Sequence, residues 1–285
     1  MNAINRAATT VFDLLVKPFS ALGPELTIVI LSGLFGIIAL ILFKFISFQK
    51  GIKATKDKIK AGMIEIRIYQ NDLGIVSKAV GKVLGRNFQY MGLNILPFIP
   101  LSIPFVLALA QLVCRFGFAP IPEWEEHREW LPGRGTVIEV AMEEGEEAAI
   151  ADLEIRLPDT LEVKQPLLRN SGAGLGWIEV VATGSGDETI EFVFPDGSTD
   201  TKRIVTGDGP MPKLMAGERV SNFWKQWLWP AEPSFDNTGI DEVKFTYPDR
   251  ELRWMPDGVI GVLLAFVVAS MAFGILILKP LGISI

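Results

Sequence analysis

Three stretches of this chain carry no charged side chain: residues 26–43, 91–114 and 258–278. A bilayer core about 30 Å thick takes roughly 20 apolar helical residues to cross. A helix of that length buried in a soluble core would keep a polar stripe along one side. None of the three has such a stripe. Charges bracket them instead: Lys44 after the first, Arg86 and Arg115 around the second, Asp257 and Lys279 around the third. The sequence therefore predicts membrane-spanning helices at 25–48, 88–115 and 257–279. Polar segments at 49–87 and 116–256 join them, and a short tail follows at 280–285. Composition agrees once it is read as a mixture: 49% hydrophobic with mean hydropathy +0.34, yet 21% charged. One cysteine (Cys114) and one histidine (His127) exclude an intramolecular disulfide, a cysteine zinc cage and most Ser-His-Asp arrangements. No enzymatic activity, cofactor or metal is expected.

The first span reads as an uncleaved anchor. A secretory signal has a short apolar core and a small-residue cleavage site, whereas here a long core ends in Lys44 and FISFQK. Before it, Val11, Leu14, Leu15 and, less regularly, Phe19 fall near one helical face, away from Arg6, Asp13 and Lys17. That suits an amphipathic helix within 1–24 lying in the membrane interface; a terminal helix docked on the protein fits the pattern as well. Orientation follows from lysine and arginine. Between Lys44 and Arg86 there are ten basic and three acidic residues, and from Arg115 to Asp257 there are 14 basic and 28 acidic. Basic residues in short loops stay in the cytoplasm. The expected protein is thus a multi-pass protein of the cytoplasmic (inner) membrane. Its N-terminus and acidic domain lie outside the cytoplasm, and its hairpin and C-terminus lie inside.

The basic segment at 49–87 reads as a helical hairpin of coiled-coil type. Ile52, Ile59, Met63 and Ile66 form one stripe, and Leu73, Val76, Val80 and Val83 form a second. Gln70-Asn71-Asp72 supplies the turn, with Asn or Asp suited to cap the next helix. Gly74, Gly81 and Gly85 each weaken that helix by ~1 kcal/mol relative to alanine, which predicts a mobile hairpin. Its lysines suit a solvated face drawn to anionic headgroups, each worth ~1 kcal/mol near the surface. They equally suit a landing site for a client chain, a ribosome or another acidic partner. No sequence-specific nucleic acid is expected.

The second span differs from the others. Pro97, Pro100 and Pro104 interrupt its backbone bonding, and Asn94, Ser102 and Gln111 bring polar groups to membrane depth. Freed carbonyls and buried amides are tolerated there only against protein or a wet cavity. One reading is a polar groove open to the cytoplasm and lined by Asn94 and Lys44; the other is helix–helix hydrogen bonding with Lys44 snorkelling to headgroups. In the third span Gly258, Gly261, Ser270 and Gly274 are small enough for close packing.

From Gly135 onward the period shortens. TVIEVAM, DLEIRLP, LEVKQPLL, WIEVVATG, TIEFVF, KRIVTG and EVKFTYPD alternate in strand fashion between Gly-, Pro-, Asp- and Asn-rich turns, with a hairpin around Asp196-Gly197. Strands at this spacing predict an extracytoplasmic antiparallel β-sandwich within 116–256. The acidic run at residues 144–147 reads as a solvated loop. Phe223, Trp224, Trp227 and Trp229, with Trp124, Trp130 and Trp254, suit an aromatic belt resting on the bilayer; a Trp-lined ligand site is the alternative.

The layout of an outside N-terminus, a first span running into the basic hairpin KGIKATKDKIKAGMIEIRIYQNDLGIVSKAVGKVLGRN, a proline-bearing second span and a later third span resembles the YidC-like insertase superfamily, most of all its compact three-span members. The resemblance covers roughly residues 25–115 and 258–285. It implies a membrane insertase or chaperone that offers a hydrophilic groove to hydrophobic client segments. Lys44 would then stand where bacterial members keep a positive charge in the groove, and the hairpin would receive clients. The candidate client-contacting residues are Lys44, Asn94 and Gln111 in the spans and Lys53, Lys56 and Lys60 on the hairpin. Expected partners are the lipid bilayer, nascent or client membrane proteins, and a ribosome or an envelope protein complex. The β-domain is foreign to compact members. It supplies the alternative, a membrane-anchored scaffold whose β-domain recruits an envelope partner.

Overall fold

The structure, a computed structural model, describes residues 3–124, 135–208, 213–235 and 239–281. Trp130, His127 and most of the predicted tail lie outside them. The chain forms two compact units: Met1–Ile28 with Val106–Ala265, and Val29–Phe105 with Phe266–Ile285. The helices are α1 (Ala3–Val16), α2 (Pro24–Ile46), α3 (Gln49–Ile68), α4 (Leu73–Ile95), α5 (Phe98–Phe116) and α6 (Gly258–Leu281). Among the described residues, three stretches are long and apolar enough to cross a membrane: Pro24–Ile46, Leu73–Phe116 and Gly258–Leu281.

In the second of these, the predicted boundary between hairpin and span falls inside α4. No break occurs at residues 87 and 88, because a change from polar to apolar residues does not itself end a helix. α4 runs on to Ile95, and the interruption comes at Leu96 and Pro97. Pro97 has no N–H for the carbonyl of Leu93, and its ring crowds that carbonyl. Pro100 falls in the first turn of α5, where no N–H is required, so only Pro104 is interior.

In the unit built from residues 29–105 and 266–285, α3 and α4 form the expected hairpin. The Asp72 carboxylate accepts from the N–H groups of Gly74 (2.9 Å) and Ile75 (3.1 Å), capping α4 as its residue type predicts. The seam keeps part of the predicted stripes, with Ile59, Ile66, Val76 and Val83 half-buried. Ile52, Thr55 and Gly62 of α3 and Ala79 of α4 are buried, while Met63, Leu73 and Val80 are exposed. Gly62 explains the change: a Cβ there would stand 2.6 Å from Cγ2 of Val83, so the helices meet through a small residue one position away from the bulky stripe. α2 and α6 also approach backbone to backbone, since a Cβ on Gly36 would fall 2.2 Å from the carbonyl oxygen of Ser270. The small residues predicted at 270 and 274 therefore do serve packing. Gly258 and Gly261 instead shape the start of α6; Gly258 has φ +63° beside the Asp249 side chain.

In the other unit, eight strands among the described residues make two antiparallel sheets: β1 (Thr136–Met142), β2 (Glu154–Arg156), β3 (Leu161–Asn170), β4 (Leu175–Ala182), β5 (Gly186–Val193), β6 (Thr199–Thr206), β7 (Glu218–Val220) and β8 (Ile240–Lys244). One sheet has the order β3-β4-β1-β8-β7 and the other β2-β5-β6. A single core joins them, with Ile138, Val140 and Val180 of the first meeting Ile190, Phe192 and Ile204 of the second. The Asp196-Gly197 turn forms as expected, Gly197 taking φ +84° and Asp196 accepting from the N–H of Ser198. β3 holds Pro166 at a sheet edge with shifted register, where a missing donor is tolerated. β7, three residues long, is too short for a periodicity signal.

α1 docks through Asn5 and Phe12, both buried, while Ile4, Val11 and Leu14 stay exposed. Asn5 donates to the Gln226 carbonyl (2.7 Å), and Asp13 pairs with the buried Arg115 (2.8 Å). The docked reading holds for the face that carries Asn5 and Phe12. Trp229 leaves the expected aromatic stack and turns inward against Phe118, whereas Phe223, Trp224 and Trp227 form an edge-to-face cluster. Trp124 is elsewhere again, under the ammonium of Lys164 at 4.0 Å.

Candidate functional site

The cavity that best matches the expected groove lies within the unit of α2, α4, α5 and α6 segments. It encloses about 390 Å³. Phe43 of α2 and Phe98 of α5 meet across it with ring centroids 5.6 Å apart, and Phe105 meets Phe266 edge-on at the same distance. The close α2–α6 contact at Gly36 and Ser270 forms part of its wall. The expectation of a polar groove is corrected in one respect: Asn94 and Ser270 are the only polar side chains of its lining among the described residues.

Asn94 lies one residue before the end of α4. Its amide nitrogen donates to the Tyr90 carbonyl one turn back (2.7 Å). Its carbonyl oxygen is shielded from solvent and accepts no hydrogen bond. Ser270 donates to the Val267 carbonyl (3.1 Å). An unmade hydrogen bond at a buried acceptor costs ~1–3 kcal/mol. The cavity therefore presents one open acceptor in an apolar surround, beside a helix break that also leaves the Leu93 carbonyl without its helical donor. Such a wall suits an apolar segment that brings a donor with it.

The other sequence candidates are dispersed. Lys44 is exposed in the last turn of α2, and its neighbour Phe43 lines the cavity in its place. Gln111 is fully buried in the other unit, where it donates to the Thr9 hydroxyl (2.8 Å) and accepts from Arg115 (3.2 Å). It clamps α1 to α5 and takes no part in the cavity. Lys53, Lys56 and Lys60 share one face of α3, with Lys53 and Lys60 exposed and Lys56 half-buried.

Sequence reasoning missed a charged network inside the β region. Lys202 of β6 is fully buried and touches Glu232, while also donating to the carbonyls of Arg203 (2.9 Å) and Ala216 (2.8 Å). Burial pulls its ammonium below the ordinary lysine value, with Glu232 opposing. Arg219 pairs with Asp200 at 2.6 Å and donates to the Pro233 carbonyl. Arg203 holds Asp187 through two bonds of 2.6 Å, and that hydrogen bonding keeps the Asp187 carboxyl below its usual range. These bonds pin the excursion between β6 and β8 to the sheet. The alternation Asp200, Lys202, Ile204 on the inward side of β6 was the available signal. Comparison with family models, with curated proteins and with solved structures finds no match to this chain.

Proposed function

We propose that this chain is a membrane-protein insertase or membrane chaperone related to the YidC-like superfamily. It crosses the cytoplasmic membrane three times, with hairpin and C-terminus inside and the N-terminus and β-sandwich outside. The cavity receives a hydrophobic client segment, and the basic face of α3 (Lys53, Lys56, Lys60) attracts the client or its ribosome. The open acceptor of Asn94 carries this reading, because an incoming segment that supplies an N–H or O–H would match it. Exposed Lys44, one position from Phe43 and near the end of the apolar run, suits a cation at the cavity mouth.

The test is photo-crosslinking from position 98 to a nascent membrane protein with a short translocated tail. The expected result is a crosslink that weakens in Lys44→Ala and in Asn94→Leu, with client insertion falling on depletion of the protein. No change in insertion or crosslinking would sink the insertase reading. A second reading is a scaffold whose β-domain recruits an envelope partner, favoured by the exposed edge strand β3 with Val163 and Leu168 uncovered. Purification of the intact protein in detergent separates the two: ribosomes and nascent chains on one side, a stable envelope complex on the other.

A further inference from the structure

We infer that the pocket at the first turns of α2 and α6 binds the headgroup of an amine-bearing phospholipid such as phosphatidylethanolamine. The inference rests on α2 and α6 being membrane spans. It does not depend on insertase activity.

The pocket is open, encloses about 750 Å³ and is lined by residues 21–25 and 250–253 with Asp257. It contains two guanidiniums, Arg250 and Arg253, and three carboxylates, Glu25, Glu251 and Asp257. Two of the carboxylates each give one oxygen to the backbone. Glu25 accepts from the N–H of Arg253 (3.1 Å), and Asp257 accepts from the N–H of Leu252 (2.8 Å). Among the described residues neither guanidinium forms an ion pair, although Arg250 is half-buried. Burial lowers its pKa, with the charge of Glu25 opposing. The groups left to meet a ligand are therefore two arginine forks, the exposed Glu251 carboxylate and the second oxygens of Glu25 and Asp257. A guanidinium fork matches the paired oxygens of a phosphate. Glu251 requires a cation that can donate, which an ammonium does and a trimethylated choline nitrogen does not. That combination is the complement of a phosphoethanolamine group.

Position favours a lipid over a soluble ester of the same chemistry. The pocket sits where two apolar runs begin, at the depth of headgroups if those runs cross the bilayer. Leu22, Leu26 and Trp254 are exposed around it, the residue types that pack against upper acyl chains and the interfacial layer.

The test uses the full chain in nanodiscs containing equal phosphatidylethanolamine, phosphatidylcholine and phosphatidylglycerol, with native mass spectrometry of the retained lipid. Phosphatidylethanolamine is expected to be enriched about tenfold over phosphatidylcholine, as about one charge-assisted hydrogen bond to Glu251 implies. Arg250→Gln with Arg253→Gln should abolish retention of any lipid at the site, and Glu251→Gln should remove only the preference for the primary amine. Arg253→Gln alone, at an exposed position, should show a partial loss while the thermal transition of the chain stays in place. Equal retention of the three lipids, or enrichment unchanged in the double variant, overturns the inference. Occupancy by soluble O-phosphoethanolamine in detergent equal to that by the lipid assigns the site to a free ester and overturns the lipid source. A chain that fails to enter nanodiscs removes the membrane reading itself, a result distinct from entry without selectivity.

Discussion

The two compact units treat apolar surface in opposite ways. The β region hides it: Val140, Val180, Ile190 and Phe192 are at 0% exposure, and the charges drawn in with them are paired. The helical unit leaves much of it uncovered, with Ile38, Phe88, Ile99, Val268 and Leu276 all exposed. Its helices come closest at Gly36, Gly62 and Ser270, beside a few contacts of large side chains such as Phe43 with Phe98. In water, removal of apolar surface drives packing. Between helices in lipid that drive is absent, and close contact of small residues replaces it. The contrast is the one expected of a chain with one part solvated by water and the other by hydrocarbon.

Breaking the β region at its charges should give the largest effect. Glu232→Ala leaves Lys202 buried without its partner, a loss of ~3–5 kcal/mol, read as a lower denaturation midpoint by tryptophan fluorescence. Lys202→Met combined with Glu232→Leu should recover most of that loss. An unshifted midpoint in the single variant would mean that the pair does not hold the excursion to the sheet. In the helical unit, Gly36→Leu forces α2 from α6 and should cost ~1–3 kcal/mol, seen as earlier thermal loss of helix while the β-region fluorescence transition stays in place. A matching shift of both transitions would erase the distinction between the units.

Asp72→Ala removes the cap of α4 at a cost of ~1 kcal/mol, and limited proteolysis should then cut faster near Gln70 with little change elsewhere. The smallest effect concerns acid. Asp187, half-exposed, has its carboxyl held below the ordinary value of 3.8 by Arg203. Its contribution is complete above that unfolded value and disappears as pH falls through the lower folded one. Asp187→Asn should therefore flatten the acid side of the β region's stability profile below about pH 4, the unperturbed aspartate range, and leave the helical unit's profile unchanged.

Features carried by neighbouring residues are legible in the sequence. The uncharged runs from Leu26 and Gly258 form α2 and α6, TVIEVAM forms β1, and Asp72 and Asp196-Gly197 make their cap and turn where their side chains favour it. Of the candidate residues in the spans, Asn94 is legible as an amide costly in an apolar run, and it lines the cavity. Gln111 is chosen for the same reason, yet its partners are Thr9 and Arg115. An amide's cost of burial says that it needs a partner but not which one.

The sequence alone determined the number of apolar stretches long enough to cross a bilayer, the uneven charge on either side of them, and the strand-rich character of residues 135–245. Each depends on sums or periods over adjacent residues, which hold whatever the fold. Only the tertiary structure decided that α1 docks through Asn5, that the hairpin seam runs through Gly62, that Lys202 is buried with Glu232, and that Asn94 faces a cavity with its oxygen open. Those outcomes depend on groups up to 221 residues apart. A polar atom's partner is set by which backbone comes within hydrogen-bond reach, and no local pattern encodes that.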